Sequence, residues 1–143
     1  MPSRKWYSVT SSADGNNLAA VINILSSVGQ GGIYTSADGG TTWSLTSAPS
    51  YIQSWITISS STNGANLVAA GAYAPTFSHQ VYTSSNFGNT WALTSLPNIA
   101  WYSVASSADG TKLVALAWQT NVLYTSADSG TTWVPNTIPN NWW

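Results

Sequence analysis

The chain repeats one pattern three times. Trp6-Tyr-Ser-Val-Thr-Ser-Ser-Ala-Asp-Gly15 returns as Trp55-Ile-Thr-Ile-Ser-Ser-Ser-Thr-Asn-Gly64 and as Trp101-Tyr-Ser-Val-Ala-Ser-Ser-Ala-Asp-Gly110. A second box follows each copy: Ile33-Tyr-Thr-Ser-Ala-Asp-Gly-Gly-Thr-Thr-Trp43, Val81-Tyr-Thr-Ser-Ser-Asn-Phe-Gly-Asn-Thr-Trp91, and Leu123-Tyr-Thr-Ser-Ala-Asp-Ser-Gly-Thr-Thr-Trp133. Trp6, Trp55, Trp101 and Trp143 fall 49, 46 and 42 residues apart. A unit of this size cannot bury its own apolar surface, so such units fold by stacking on one another.

Each unit carries four short runs of β-forming residues bounded by turn formers. In the third unit they cover 102–106, 112–118, 121–126 and 131–136. Charge is scarce, with three Lys+Arg and four Asp+Glu, and all four acids are Asp. A chain that lacks Glu and favours Ser, Thr, Asn, Val, Tyr and Trp is a poor helix former and reads all-β. A four-stranded antiparallel meander recurring every 40 to 50 residues is a β-propeller blade. The expected organisation is one domain over 1–143 with three blades, at 6–54, 55–100 and 101–143.

The spacings divide the connections into two kinds. Trp to Gly across the first turn is nine residues in every unit, and Tyr to Trp across the second box is also nine. Gly15 to Tyr34, Gly64 to Tyr82 and Gly110 to Tyr124 instead span 19, 18 and 14 residues. In an up-and-down meander, the fixed 1–2 and 3–4 turns lie on one face. The variable 2–3 and blade-to-blade connections lie on the other, and loops that vary on a rigid scaffold are where binding usually resides.

The second box reads Ser-X-Asp-X-Gly-X-Thr-Trp and resembles the Asp-box (BNR) repeat of sialidases and related propellers, including propeller lectins. Ser36, Asp38, Gly40 and Trp43 match it, as do Ser126, Asp128, Gly130 and Trp133; Ser84, Asn86, Gly88 and Trp91 match with Asn for Asp. The resemblance implies a structural role on the face away from any active site. Local chemistry agrees: Asp or Asn binds turn N–H groups, Gly supplies positive φ, and Trp packs into the core.

No constellation here predicts an enzyme. All four Asp (Asp14, Asp38, Asp109 and Asp128) fall in turn slots whose middle-unit counterparts are Asn63 and Asn86, so the slots need an acceptor rather than a charge. A glycosidase needs paired carboxylates, and the sialidase resemblance would imply an arginine cluster where this chain has only Arg4. The single histidine, His79 in the 73–79 insertion, reads as a loop hydrogen-bonder, and no metal site or cofactor is expected. Gln30-Gly-Gly32 lacks the strand–helix context of a phosphate cradle. The Thr10, Ser59 and Ser106 runs have no triad partners and read as exposed or channel-lining strand ends. Three cations are too few for nucleic-acid binding, and no run of about 18 apolar residues or signal segment is visible. Zero cysteines leave cytoplasm and exterior both open.

The aromatics carry the functional expectation. Trp6, Trp55 and Trp101 open strand 1 on the variable face, with Tyr7 and Tyr102 beside two of them and Tyr73 and Trp118 at the 2–3 loops. They are the expected ligand-binding residues of a lectin-like propeller for neutral glycans, whose C–H faces stack on rings. The alternative is a structural or designed scaffold with no ligand. Three blades do not close a ring, and Trp143 stands where a fourth blade would open. Identical chains are therefore expected to complete the ring, as a homodimer of six blades or a homotrimer of nine; an excerpt of a longer propeller is the competing reading.

Overall fold

The structure is a computed structural model that describes residues 5–23, 31–52, 54–73, 76, 78–118 and 122–138. Arg4, Gln30 and Trp143 lie outside the described residues. The described residues form three four-stranded antiparallel sheets. The first holds β1 (Trp6–Ser11), β2 (Leu18–Ile22), β3 (Gly32–Ser36) and β4 (Ser44–Leu45); the second holds β5 (Ser54–Ser60), β6 (Leu67–Tyr73), β7 (Ser78–Ser84) and β8 (Ala92–Leu93). The third holds β9 (Trp101–Ser106), β10 (Leu113–Ala117), β11 (Val122–Ser126) and β12 (Val134–Thr137). Strands pair only with their sequence neighbours, as an up-and-down meander requires.

The fourth strands start later than the sequence pattern predicts, because the preceding threonines are held in the turn. Asp38 accepts from the N–H of Thr42 at 2.8 Å and from its hydroxyl at 2.6 Å, and Asp128 holds Thr132 at the same two distances. His79 also departs from expectation. It lies in β7 opposite Ala72, since β6 and β7 extend the hairpin to Tyr73 and Ser78.

The core lies between sheets rather than within one. Ala19, Val21 and Ile33 of the first sheet pack with Trp55, Ile58, Leu67 and Tyr82 of the second. Val68, Ala70 and Val81 of the second sheet repeat the arrangement against Trp101, Val104 and Leu113 of the third. Small apolar groups on one sheet thus cover the aromatic face of the next.

That aromatic face is the same in every blade. Trp6 lies 5.4 Å from Tyr34 and 6.3 Å from Trp43, and Trp55 lies 5.7 Å from Tyr82 and 6.4 Å from Trp91. Trp101 lies 5.5 Å from Tyr124. Edge-on and tilted packing at these distances adds to the area buried. The third ring is anchored by its own turn: the indole N–H groups of Trp43, Trp91 and Trp133 donate to the carbonyls of Gly40, Gly88 and Gly130 at 2.9, 3.1 and 3.0 Å.

The Ser/Thr runs on β1, β5 and β9, expected as exposed or channel-lining strand ends, also staple neighbouring blades. Thr10 and Ser60 share a hydroxyl hydrogen bond at 2.9 Å, and Ser59 Oγ accepts from the Ser106 N–H at 3.1 Å. A hydroxyl serves here because neighbouring first strands run beside each other without forming a common sheet.

Two outcomes test this packing. Trp55→Ala removes a fully buried indole and should lower unfolding free energy by about 3–5 kcal/mol, read from a urea melt; an unchanged midpoint would show the ring is not core. Gly130 has φ +89°, and a Cβ there would lie 2.8 Å from Thr83 Cγ2. Gly130→Val should cost about 2 kcal/mol or more, whereas Asn86→Asp should stay within about 0.5 kcal/mol on the same assay.

Candidate functional site

The two ends of the blades differ in chemistry. At one end, the fixed turns form a closed hydrogen-bonded system. Ser36 Oγ donates to Asp38 at 2.7 Å and accepts from the Gly40 N–H at 2.9 Å; Ser126 does the same with Asp128 and Gly130, and Ser84 with Asn86 and Gly88. The β1–β2 turn has an equivalent serine, Ser12, which donates to Asp14 at 2.6 Å and accepts from the Asn17 N–H at 2.9 Å. The two turns of each blade are also joined. Gly39, Phe87 and Ser129 donate their N–H groups to the carbonyls of Asn16, Ala65 and Thr111, at 3.0, 2.9 and 2.9 Å. This coupling explains the constant nine-residue spacings: an insertion in either turn would break the bond to the other.

Sequence reasoning missed one strained position in these turns. The residue before the box glycine also adopts positive φ, +65° at Gly39, +59° at Phe87 and +58° at Ser129. The bond to the neighbouring turn holds two non-glycine residues in the left-handed region.

The carboxylates at this end are poor proton donors. Hydrogen bonds from Thr42 and Ser36 hold Asp38 down at about 2, those from Thr132 and Ser126 hold Asp128 at about 2, and those from Ser107 and Thr111 hold Asp109 at about 2. Ser12 and Asn16 lower Asp14 in the same way. Each donor favours the ionised form. Among the described residues, no group of three or more His, Cys, Asp or Glu side chains is placed to hold a metal ion.

The variable end carries the aromatics. Trp55 and Trp101, expected to face a ligand, are 0 % and 2 % exposed and lie inside the interblade core. Trp6 is half-buried. The indoles of Trp55 and Trp101 have no free face to stack on a sugar, and their Nε1–H groups find no acceptor among the described residues. The neighbouring residues behave differently. The pairing of β9 with β10 is irregular between Leu116 and Ala117, where Tyr102 has no opposite partner, and the pairing of β1 with β2 skips Tyr7 in the same way. Such a bulge re-aims a side chain, and Tyr7 and Tyr102 are exposed. Trp118 follows β10 and packs on Tyr102 at 5.1 Å with the planes inclined by 48°. The two rings remain 55 % and 52 % exposed.

A second aromatic group involves Tyr51, which sequence reasoning missed because it lies in a blade-to-blade connection, outside both repeated boxes. Tyr51 is exposed and packs edge-on against Tyr73 at 6.1 Å. Its hydroxyl shares a hydrogen bond with that of Tyr82, which in turn donates to Gln80 at 2.8 Å. Burial and the Tyr51 contact raise the Tyr82 phenol well above its ordinary value. Nearby, His79 donates its backbone N–H to Asn98 Oδ1 at 2.6 Å, and burial lowers its imidazole.

Two hollows lie elsewhere among the described residues. Clefts of about 450 and 300 Å³ open between adjacent blades beside the fixed turns. Thr42, Ser44 and Asn89 line one, and Thr90, Trp91 and Ser129 the other. Both of these concavities lie at the box end. No helix among the described residues is long and apolar enough to cross a membrane.

No family model and no curated protein sequence matches the chain. Solved structures do. YCF48 bound to D1 peptide superposes with a TM-score of 0.70 at 14% identity, over 94% of this chain and 41% of that one. A GH74 enzyme from Niastella koreensis gives 0.68 at 19% identity, over 90% and 22%. A chain of the nidogen/laminin complex gives 0.70 at 9%, over 94% and 48%. These neighbours are β-propellers of mixed function, and the likeness shows the propeller fold. The chain spans less than half the length of each.

The depressed carboxylates set the acid response. Asp38, Asp109 and Asp128 titrate near 2 when folded and near 4 when unfolded, so their contribution is complete above about pH 4 and disappears as pH falls through about 2. Thermal melts between pH 5 and pH 2 should show a falling midpoint, and the loss should shrink in a variant carrying Asn at all three positions. A flat profile in the parent would show that these turns contribute nothing through charge.

Proposed function

We propose that this chain is a non-catalytic, lectin-like propeller module that binds neutral glycans on the exposed aromatics of its variable-loop end. The Tyr102–Trp118 pair carries the reading. Two large rings packed on each other yet about half exposed form a rigid apolar platform, and a soluble protein exposes such a patch at a cost. Neutral sugars fit it, since their C–H faces stack on rings and their hydroxyls take uncharged hydrogen bonds. Tyr7 and the Tyr51–Tyr73 pair, with Gln80 and Asn98 nearby, extend the same chemistry to the other blades.

The acids argue for binding rather than hydrolysis. A glycosidase needs one carboxyl with a raised pKa, whereas these four are lowered and occupied by turn donors. The serine–acid–glycine–tryptophan turns act as an Asp-box-like scaffold. Several weak platforms on one disc would gain avidity on a glycan-coated surface.

A glycan array probed with the full chain tests the reading. Trp118→Ala and Tyr102→Ala should each weaken binding about tenfold, equivalent to 1.4 kcal/mol, while leaving the melting midpoint near that of the parent. Binding that survives both changes but disappears on Thr42→Ala or Asn89→Ala would move the site to the interblade clefts. Absence of any bound glycan would leave the chain as a scaffold.

A further inference from the structure

The two outer faces of the three-sheet array are complementary halves of a joint the chain already makes twice. At each internal joint, a position on the first strand of the following sheet is sealed: Ile58 is 5 % exposed and Val104 6 %. Val9 holds the corresponding position in the first sheet and is 67 % exposed. On the covering side, Val21 and Ile33, then Ala70 and Val81, are buried, whereas their third-sheet counterparts Leu116 and Leu123 are only half-buried.

The polar staples form series with the same open ends. The Ala13 N–H donates to the Thr62 carbonyl, and the Thr62 N–H to the Ala108 carbonyl, each at 2.7 Å. Asn17 Nδ2 donates to the Asn63 carbonyl at 3.1 Å, and Asn66 Nδ2 to the Asp109 carbonyl at 3.0 Å. The next step of the first series would join an Ala108 N–H to an Ala13 carbonyl. In the second, Lys112 holds the asparagine's place and would reach the carbonyl of Asp14. A cation would then meet an anionic residue, a pairing that neither internal joint contains.

Steric fit follows the same order. A Cβ on Gly64 would lie 2.6 Å from Asn17 Cβ, and one on Gly110 2.5 Å from Asn66 Cβ. At Gly15, no described atom lies within 4 Å of that point. The notch that a neighbouring side chain fills at both internal joints stands open at the first blade.

We infer that a second copy of this chain docks head to tail, its first sheet on the third sheet of the first copy, with Lys112 seated at Gly15 and Asp14, and that two such joints close a ring of six blades. The inference rests on the propeller fold and not on glycan binding. The joint is heterologous, so one copy offers Leu116, Leu123 and Lys112 while the other offers Val9, Asp14 and Gly15.

Light scattering after size exclusion, with no sugar present, tests it. The full chain should elute with twice the 15.1 kDa of one chain. Val9→Lys and Lys112→Glu alter side chains that are exposed in a single chain, so far-UV circular dichroism should be retained. Each should weaken association at least tenfold and move the mass toward one chain. Monomeric parent protein at tens of micromolar, or a dimer whose mass ignores both substitutions, would overturn the inference. An intact ring that binds no glycan would instead remove the lectin reading and leave this one standing.

Discussion

The second and third blades of this protein depend on surface supplied by the blade before them. The tryptophan–tyrosine–tryptophan face is too apolar to stand in water, and its own sheet has no second layer to cover it. Cover comes from the small aliphatic face of the preceding sheet: Ala19, Val21 and Ile33 over Trp55, then Val68, Ala70 and Val81 over Trp101. Alanine and valine allow the sheets to approach, while the large rings fill the gap. Sheet packing and aromatic burial are therefore one interaction, and folding of one blade is linked to folding of the next, as in other stacked-repeat architectures.

The fixed turns set the approach of those sheets. Each holds a serine whose hydroxyl serves an acid or amide and a backbone N–H at once. Asn86 shows how little charge matters to this geometry. Its Oδ1 accepts from the Thr90 N–H at 2.9 Å as Asp38 accepts from Thr42, while its Nδ2 donates to the Thr90 hydroxyl at 2.8 Å, reversing the sense of that one bond. At the aromatic end the described bonds differ from joint to joint, such as those from the His79 N–H to Asn98 Oδ1 and from the Trp118 N–H to the Ala100 carbonyl. Loops there differ in length from blade to blade without disturbing the stack.

Much of this was legible in the sequence because it is local. Invariant spacings within a turn, glycine at a left-handed position and tryptophan at its end are encoded in a few adjacent residues. What was illegible depends on which side of a sheet is covered. Alternation along β5 says that Trp55 and Thr57 differ in setting from Ile56, but only the neighbouring blade decides that Trp55 is sealed. The bulges that turn Tyr7 and Tyr102 outward are likewise tertiary features. Tyr51 escaped notice because a connection that varies in length between blades carries no fixed spacing. Hydroxyls on the first strands looked solvent-exposed because their partners sit roughly 50 positions away in the chain.

The outer strands carry a different consequence. A sheet that ends in an unpaired strand offers its free N–H and C=O groups to any other chain, and a protein built from three sheets multiplies that exposure. Here β4 and β8 are cut to two residues, too short to template another strand. Where the outermost strand lengthens to four, as in β12, Pro135 takes a place opposite Tyr124 and removes a donor from the row. Short or proline-bearing rims of this kind discourage edge-to-edge aggregation. The blades are thus left to associate through their faces, where side-chain shape can select the partner.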